Sequence, residues 1–293
     1  MAERDSQDPQ DSPLERGWLL SPPGRPYLES LLQRNRRRVF GLLERPALPP
    51  PLAMPTLPYK LFLVGRSGVG KTALVAALAG TPRAPGTAAT PPHHETLGIE
   101  ATTVFWPAQP RGSARPVLFQ LHFWDCGDGA LRKFEHLLPA CQEELDAVLV
   151  LFSFTDRASF EELPAQLSRL SGQGLVTVVV GTKSDLSPHA AVTEGEVRAL
   201  EAARGLRVLR AGAAPGGARA GLTRAAPILD SLVEQLWKRD QVAAGVARGE
   251  EGTPPQLNPL SGGGSGGRRE GKRCFLSKIC VFYEKRSRGA STS

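Results

Sequence analysis

The chain has 293 residues, including 26 prolines and 31 glycines, and a formal net charge of +7. Eight basic and two acidic residues after Ser261 supply +6 of that charge, so the remainder is nearly neutral and its composition does not favour nucleic-acid binding. The four cysteines show no metal or disulfide spacing, and no apolar run reaches the ~20 residues that span a bilayer, so we expect a soluble cytoplasmic protein.

Composition predicts three parts: an N-terminal segment over residues 1–57, a folded domain over 58–240, and a flexible Gly/Ser-rich basic tail over 241–293. We expect residues 1–25, which are polar and contain proline, to be disordered.

A helix is predicted over residues 26–44, where leucines recur at helical spacing and arginines occupy the other side. Its leucines would pack on the domain or, alternatively, its basic side would meet a membrane surface or a partner. The Pro-rich residues 46–58 favour neither a helix nor a central strand and predict a connector.

Strand and helix patterns then alternate. Strands are predicted over residues 59–64, 101–106, 117–124, 147–154, 175–181 and 206–210. Helices are predicted over residues 71–79, 130–143, 158–170, 193–203 and 225–237, the fourth opening with Thr193 and Glu196 in capping-box spacing. This order predicts an α/β fold with a mostly parallel six-stranded sheet and helices on both faces. Ligands of such sheets bind beyond the carboxyl ends of the strands.

Residues 65–72 follow the first predicted strand and match the phosphate-loop pattern G-x-x-x-x-G-K-[ST]. Backbone N–H groups of such a loop, and of the helix that follows it, bind phosphate oxygens. Lys71 would reach the β- and γ-phosphates, and the Thr72 hydroxyl would bind Mg²⁺. The candidate nucleotide-binding residues of this segment are Ser67, Gly68, Val69, Gly70, Lys71 and Thr72.

Two further segments contain candidate metal ligands. Asp125, at the end of the third predicted strand, would hold Mg²⁺ through water. Thr96, between the phosphate loop and that strand, would close onto Mg²⁺ when a γ-phosphate is present, and it counts as a nucleotide-binding candidate too. His93 and His94 are disfavoured as metal ligands, because adjacent side chains do not readily share one face of a helix or strand.

The fifth predicted strand leads into Thr182-Lys183-Ser184-Asp185, which matches the guanine-recognition pattern [NT]-K-x-D. Guanine presents N–H donors at N1 and N2, and the Asp185 carboxylate would accept both in a charge-assisted pair. Adenine presents an acceptor at N1, which would leave that carboxylate unpaired. Lys183 would lie along the base. A fifth base-contacting segment is expected within residues 211–214, without a residue assignment.

These segments, in this order, resemble those of the Ras-like small GTPases over roughly residues 58–240. Ser67 and residues 96–100 and 154–160 are similar to the Rab branch. The resemblance implies the small-GTPase form of the P-loop NTPase fold, GTP/GDP and Mg²⁺ as cofactors, and a GTP-dependent switch that protein effectors read.

Residues 36–46, 152–160 and 234–237 resemble, more closely, the Rem- and Rab-like small GTPases of the ciliogenesis and planar polarity effector complex. That resemblance implies a role in cilium biogenesis at the basal body, in targeted vesicle trafficking and in exocytosis. It also implies binding to the proteins Fuzzy and Inturned.

The third motif departs from the D-T-A-G-Q of this family. Asp128 replaces the glycine, and Gly129 replaces the glutamine that orients the attacking water. Two alternatives stay open: a switch with slow hydrolysis, and an interaction subunit that holds GTP with little or no hydrolysis. A P-loop nucleoside kinase or ATPase is disfavoured by Asp185.

The tail contains a prenylation-like box at residues 274–277. We do not expect this box to be prenylated, because sixteen residues follow it. Apolar residues between the basic ones would allow a weak contact with an anionic membrane. A solvated tail is the favoured alternative.

Overall fold

The computed structural model describes residues 12–33, 49–80, 99–127, 145–170, 174–212 and 218–244. The chain divides into two compact units, Met1–Glu234 and Gln235–Ser293. In the second unit, the described residues continue the last helix, and Arg239 pairs there with Asp240 at 2.7 Å. The predicted boundaries of the N-terminal segment and the tail stay a prediction.

The six predicted strands are all present and form one sheet. They are β1 Thr56–Val64, β2 Ile99–Ala108, β3 Val117–Cys126, β4 Ala147–Ser153, β5 Val176–Thr182 and β6 Val208–Arg210. The order is β2-β3-β1-β4-β5-β6. Among these six strands, β2 and β3 pair antiparallel and the other neighbours pair parallel. Every residue of β4 is buried, as expected for a central strand covered on both faces. The prediction of an α/β fold with a mostly parallel six-stranded sheet is confirmed.

Helices flank this sheet. They are α1 Arg25–Gln33, α2 Lys71–Leu78, α3 Arg157–Glu161, α4 Leu163–Leu170, α5 Glu194–Arg204 and α6 Ala218–Ala243. None of the helices in the described part of the chain is long and apolar enough to cross a membrane.

Two helix predictions differ from the structure. Residues 158–170 form two helices instead of one, because Pro164 has no N–H to donate to the carbonyl four residues earlier. The helix predicted over 225–237 begins at Ala218 and keeps Pro227 in its interior. The predicted helix 130–143 and residues 34–44 of the first predicted helix lie outside the described residues.

The Pro-rich connector ends earlier than predicted. Its residues Pro50–Leu52 form a short 3-10 helix. β1 begins at Thr56 and includes Pro58, although this strand is central in the sheet. The Leu118 N–H donates to the Pro55 oxygen on the β3 side, so alternation places the Pro58 nitrogen on the β4 side. Pairing with β4 begins only at Leu61, and the missing N–H therefore interrupts no ladder.

Residues 12–24 depart from the expected disorder. They are placed against the domain, and Leu14, Trp18 and Leu19 are buried. The chain then turns so tightly that a Cβ at Gly24 would lie 2.1 Å from the Trp18 oxygen. Residues 1–11 lie outside the described part.

Candidate nucleotide-binding site

The phosphate loop joins β1 to α2 at the carboxyl edge of the sheet. A Cβ at Gly65 would lie 2.5 Å from the Leu151 carbonyl oxygen, so only glycine allows the loop to leave β1 beside β4. Gly70 is the N-cap of α2, with φ at 103°. The N–H groups of the first turn of α2 therefore point to the same edge of the sheet as the loop.

Lys71 and Thr72, at the start of α2, differ in their exposure and in their hydrogen-bond partners. The Lys71 side chain is 7% exposed, and its Nζ donates to the carbonyl oxygens of Gly65 at 2.7 Å and Arg66 at 3.2 Å. The ammonium is thus held by the loop itself. Thr72 is exposed, and its hydroxyl forms a hydrogen bond with Oδ2 of Asp125.

Asp125, near the end of β3, supplies a carboxylate to this corner of the site. Its residue exposure is 2%. Oδ2 contacts Thr72, whereas Oδ1 is buried and has no hydrogen-bond partner within the described ranges. A buried carboxylate oxygen without a partner, next to a hydroxyl, matches the oxygen ligands that Mg²⁺ prefers. The two side chains therefore fit the metal that the sequence implies.

The guanine-recognition segment is tied to the phosphate loop. The Thr182 hydroxyl, at the end of β5, lies 2.5 Å from the Val69 carbonyl oxygen and 3.0 Å from that of Phe152. Lys183 has a left-handed backbone with φ at 56°, and its Nζ donates to the Gly68 oxygen at 3.0 Å. The segment predicted to bind the base is thus next to the segment predicted to bind phosphate.

The fifth segment follows β6. The Ser184 N–H donates to the Ala211 oxygen at 3.2 Å. A Cβ on Gly212 would lie 2.9 Å from Oδ1 of Asp185, so Gly212 is packed against the side chain predicted to read guanine. Sequence reasoning expected such a residue within 211–214 but assigned none. A glycine has no side chain to recognise as a motif, and its position after β6 was the available signal.

The structure brings nine predicted site residues to one edge of the sheet: Ser67, Gly68, Val69, Gly70, Lys71, Thr72, Asp125, Lys183 and Asp185. Their ligand roles stay predictions. Thr96, Asp128 and Gly129 lie outside the described residues, as do His93 and His94. The basic tail lies outside them as well.

Comparison with known proteins agrees with this geometry. The sequence model that describes the Ras family matches residues 60–216 of this chain. The chain belongs to the Ras family.

Curated relatives are similar over most of the chain or over about half of it. The human protein "Ciliogenesis and planar polarity effector 2" is 50% identical over 253 residues, which are 83% of this chain and 94% of that protein. Its counterpart from Xenopus laevis is 49% identical over 249 residues, 81% of this chain and 98% of that protein. The human "GTP-binding protein REM 2" is 33% identical over 146 residues, 48% of this chain and 39% of that protein.

These findings confirm the predicted resemblance to the Ras-like small GTPases and to the ciliogenesis and planar polarity effectors, whereas the similarity to the Rab branch stays a prediction. Membership in the Ras family implies a guanine-nucleotide site, usually with Mg²⁺.

Proposed function

We propose that the chain is a Mg²⁺-dependent guanine-nucleotide switch. The contacts of Thr182 and Lys183 with the phosphate loop support this proposal, because they hold the segment predicted to bind the base next to the segment predicted to bind phosphate. Binding sites of α/β sheets form at that edge.

Each residue has a distinct role in this proposal. Backbone N–H groups of the loop and Lys71 bind the phosphates, and Asp185 accepts the N1–H and N2–H of guanine. Thr72 and Asp125 hold Mg²⁺, which neutralises charge on the phosphate oxygens when it is bound. Thr96 is the proposed residue that responds to a γ-phosphate.

We further propose that this switch acts in cilium biogenesis, with targeted vesicle trafficking and exocytosis as its cellular output. The similarity to relatives named as ciliogenesis and planar polarity effectors supports the first of these roles. Fuzzy and Inturned are the proposed protein partners, and the cytoplasm and the basal body are the proposed locations. Partners that read the switch should bind the protein loaded with a non-hydrolysable GTP analogue more tightly than the GDP form.

A second candidate is an interaction subunit that holds GTP and barely hydrolyses it. Gly129 supports this candidate, because it stands where the family has the glutamine that orients water. Control of such a protein would lie in nucleotide exchange or in assembly with partners.

Nucleotide content and turnover of the purified full chain separate the two candidates. GDP in the isolated protein, with single-turnover hydrolysis on the order of 10⁻⁴ s⁻¹ or faster, supports a cycling switch. GTP in the isolated protein, without turnover over hours, supports the second candidate, and Gly129→Gln should then raise the rate. Lys71→Ala serves as the control with impaired phosphate binding. A wild-type chain that binds neither nucleotide in the presence of Mg²⁺ would contradict both candidates.

A further inference from the structure

Residues 12–20 pair with the turn that follows β2, and we name this segment the strap. The Glu15 N–H donates to the Gln109 oxygen at 2.9 Å, and the Arg111 N–H donates to the Pro13 oxygen at 2.9 Å. Leu14 and Pro110 form an antiparallel bridge between these bonds. The strap thus adds a short strand-like contact to the end of the β2–β3 hairpin.

Polar contacts also fix the strap to α6. Arg16 and Glu234 form a two-pronged ion pair, with Nε–Oε2 and Nη2–Oε1 distances of 3.0 Å. The Gly17 N–H donates to Oδ2 of Asp230 at 3.3 Å, and Nε1–H of Trp106 in β2 donates to Oδ1 of Asp230 at 2.8 Å. Asp230 therefore joins the strap, the hairpin and α6 through one carboxylate.

The contact is also apolar. Leu14, Trp18 and Leu19 are 3%, 6% and 2% exposed, so removing these side chains from water stabilises the seated strap. Burial raises the pKa of Asp230, while its hydrogen bonds with Trp106 and Gly17 act in the opposite direction. A partly buried carboxylate that accepts hydrogen bonds from two donors makes the seated position of the strap specific.

The same hairpin reaches the nucleotide site at its other end. β2 and β3 pair over ten residue pairs, from Ala108 with Val117 near the strap to Ile99 with Cys126. That distance is about 30 Å at roughly 3.4 Å per residue. Asp125 directly precedes Cys126 and contacts Thr72. A continuous two-stranded ladder therefore connects the strap to the metal corner of the site.

We propose that the strap is an intramolecular peptide ligand of the β2–β3 hairpin, and that its seating and guanine-nucleotide binding favour each other. Both contacts require the hairpin in one register: the strap holds Gln109 at one end, and the nucleotide site holds Asp125 at the other. The inference rests on the nucleotide binding proposed above. Such coupling is reciprocal in its binding free energies, so it can be measured from either end.

Amide hydrogen exchange of the wild-type full chain measures the coupling from the strap end. The amides of Glu15 and Gly17 report seating, because both donate across the contact. Exchange at these amides should be at least about fivefold slower in the protein loaded with GDP and Mg²⁺ than in the nucleotide-free protein. Equal exchange in the two preparations would overturn the proposal.

Charge reversal measures the coupling from the nucleotide end. Arg16→Glu places a carboxylate beside Glu234 and Asp230 and should unseat the strap. Titration with a fluorescent GDP analogue should then show affinity reduced by a similar factor, at least about fivefold. Glu234→Arg should have the same effect. The double variant, which exchanges the two charges, should recover most of the wild-type affinity.

Arg204→Glu is the matched control, because Arg204 joins α5 to Ser168 and Pro164 in α4 and does not contact the strap. Its nucleotide affinity should equal that of the wild type. Unchanged GDP affinity in Arg16→Glu, with faster exchange at Glu15 and Gly17, would show that the strap is only a structural extension. A wild-type chain that binds no guanine nucleotide would overturn the proposed function itself, and the strap would then have no nucleotide to couple to.

Discussion

Thr182 and Val69, which are 113 residues apart, meet where β5 ends beside the phosphate loop. The Thr182 hydroxyl has one proton, and it faces both the Val69 oxygen at 2.5 Å and the Phe152 oxygen at 3.0 Å. One side chain thus joins the base-recognition segment, β4 and the phosphate loop. A loop held in place by such contacts lowers the ordering cost of nucleotide binding.

Thr182→Val removes this hydroxyl and keeps the shape of the side chain. We expect guanine-nucleotide affinity to fall about fivefold, equivalent to about 1 kcal/mol for one hydrogen bond. Titration with a fluorescent GDP analogue measures the change. Thr182→Ser, which retains the hydroxyl, is the control and should bind like the wild type. Equal affinity in the valine and wild-type proteins would show that the contact does not organise the loop.

Much of the fold was predictable because its central strands are buried on both faces. β4 and β5 appear in the sequence as continuous apolar runs, and the phosphate loop and Asp185 follow strand ends. The local spacing of Thr193 and Glu196 predicted a capping box, and the structure contains both of its hydrogen bonds. Such features depend on neighbouring residues, which is why sequence reasoning found them.

The strap was not predictable in the same way. Leu14, Trp18 and Leu19 form too short a run to define a helical or strand period, and their burial depends on contacts near Gln109 and Asp230, far away in the chain. The composition of residues 1–25 predicted disorder because it could not show these distant partners. Pro58 is a related case, because only the register of β1 against its neighbours makes a proline acceptable there.

Asp125→Asn tests the metal site. The buried Oδ1 has no hydrogen-bond partner in the described part of the chain, and replacing the carboxylate by an amide removes the charge that a divalent cation requires. GDP release in the presence of Mg²⁺ should be at least about tenfold faster than in the wild type, a typical loss when support of a metal is removed. The release rate of a fluorescent GDP analogue, with and without EDTA, provides the measurement.

EDTA should accelerate release from the wild type and have little further effect on Asp125→Asn. Asp146→Asn is the control, because Asp146 is also buried but its Oδ2 accepts the Lys60 N–H at the opposite end of the strands. That variant should lose stability and keep its response to EDTA. An equal response to EDTA in Asp125→Asn and the wild type would exclude Asp125 from the metal site.

Asp185→Asn tests base recognition. The amide cannot accept both N–H donors of guanine, and losing hydrogen bonds to a charged group should reduce GTP affinity about 100-fold. Xanthine carries a carbonyl oxygen at C2 in place of the amino group of guanine, so it pairs with the N–H and C=O of asparagine. In a competition assay, the Asp185→Asn variant should therefore prefer xanthosine triphosphate to GTP, which is the reverse of the wild-type preference. Retained GTP preference in the variant would show that Asp185 does not read the base.

The capping box of α5 stabilises the start of that helix. The Glu196 N–H donates to Oγ1 of Thr193 at 3.3 Å, and Oε2 of Glu196 accepts the Thr193 N–H at 2.9 Å. Thr193→Ala removes the first bond and should cost about 1 kcal/mol of unfolding free energy. Thermal melting should show Tm lowered by about 2–4 °C, whereas Thr193→Ser should melt like the wild type.

The same capping box predicts a pH dependence through Glu196. Its hydrogen bonds with the Thr193 backbone and with Arg157 lower the pKa of Glu196 to about 2 from an ordinary 4.5. A lowered folded-state pKa stabilises the protein above the unfolded pKa, and this stabilisation is lost as pH falls from 4.5 towards 2.

Glu196→Gln should therefore melt at a lower temperature than the wild type at neutral pH. The difference in Tm between the two proteins should shrink steadily once the pH falls below the pKa of the Glu196 carboxyl in the unfolded state. Melting curves across this range, in one buffer series of constant ionic strength, measure it. A difference that stays constant with pH would show that Glu196 acts through its shape and not through its charge.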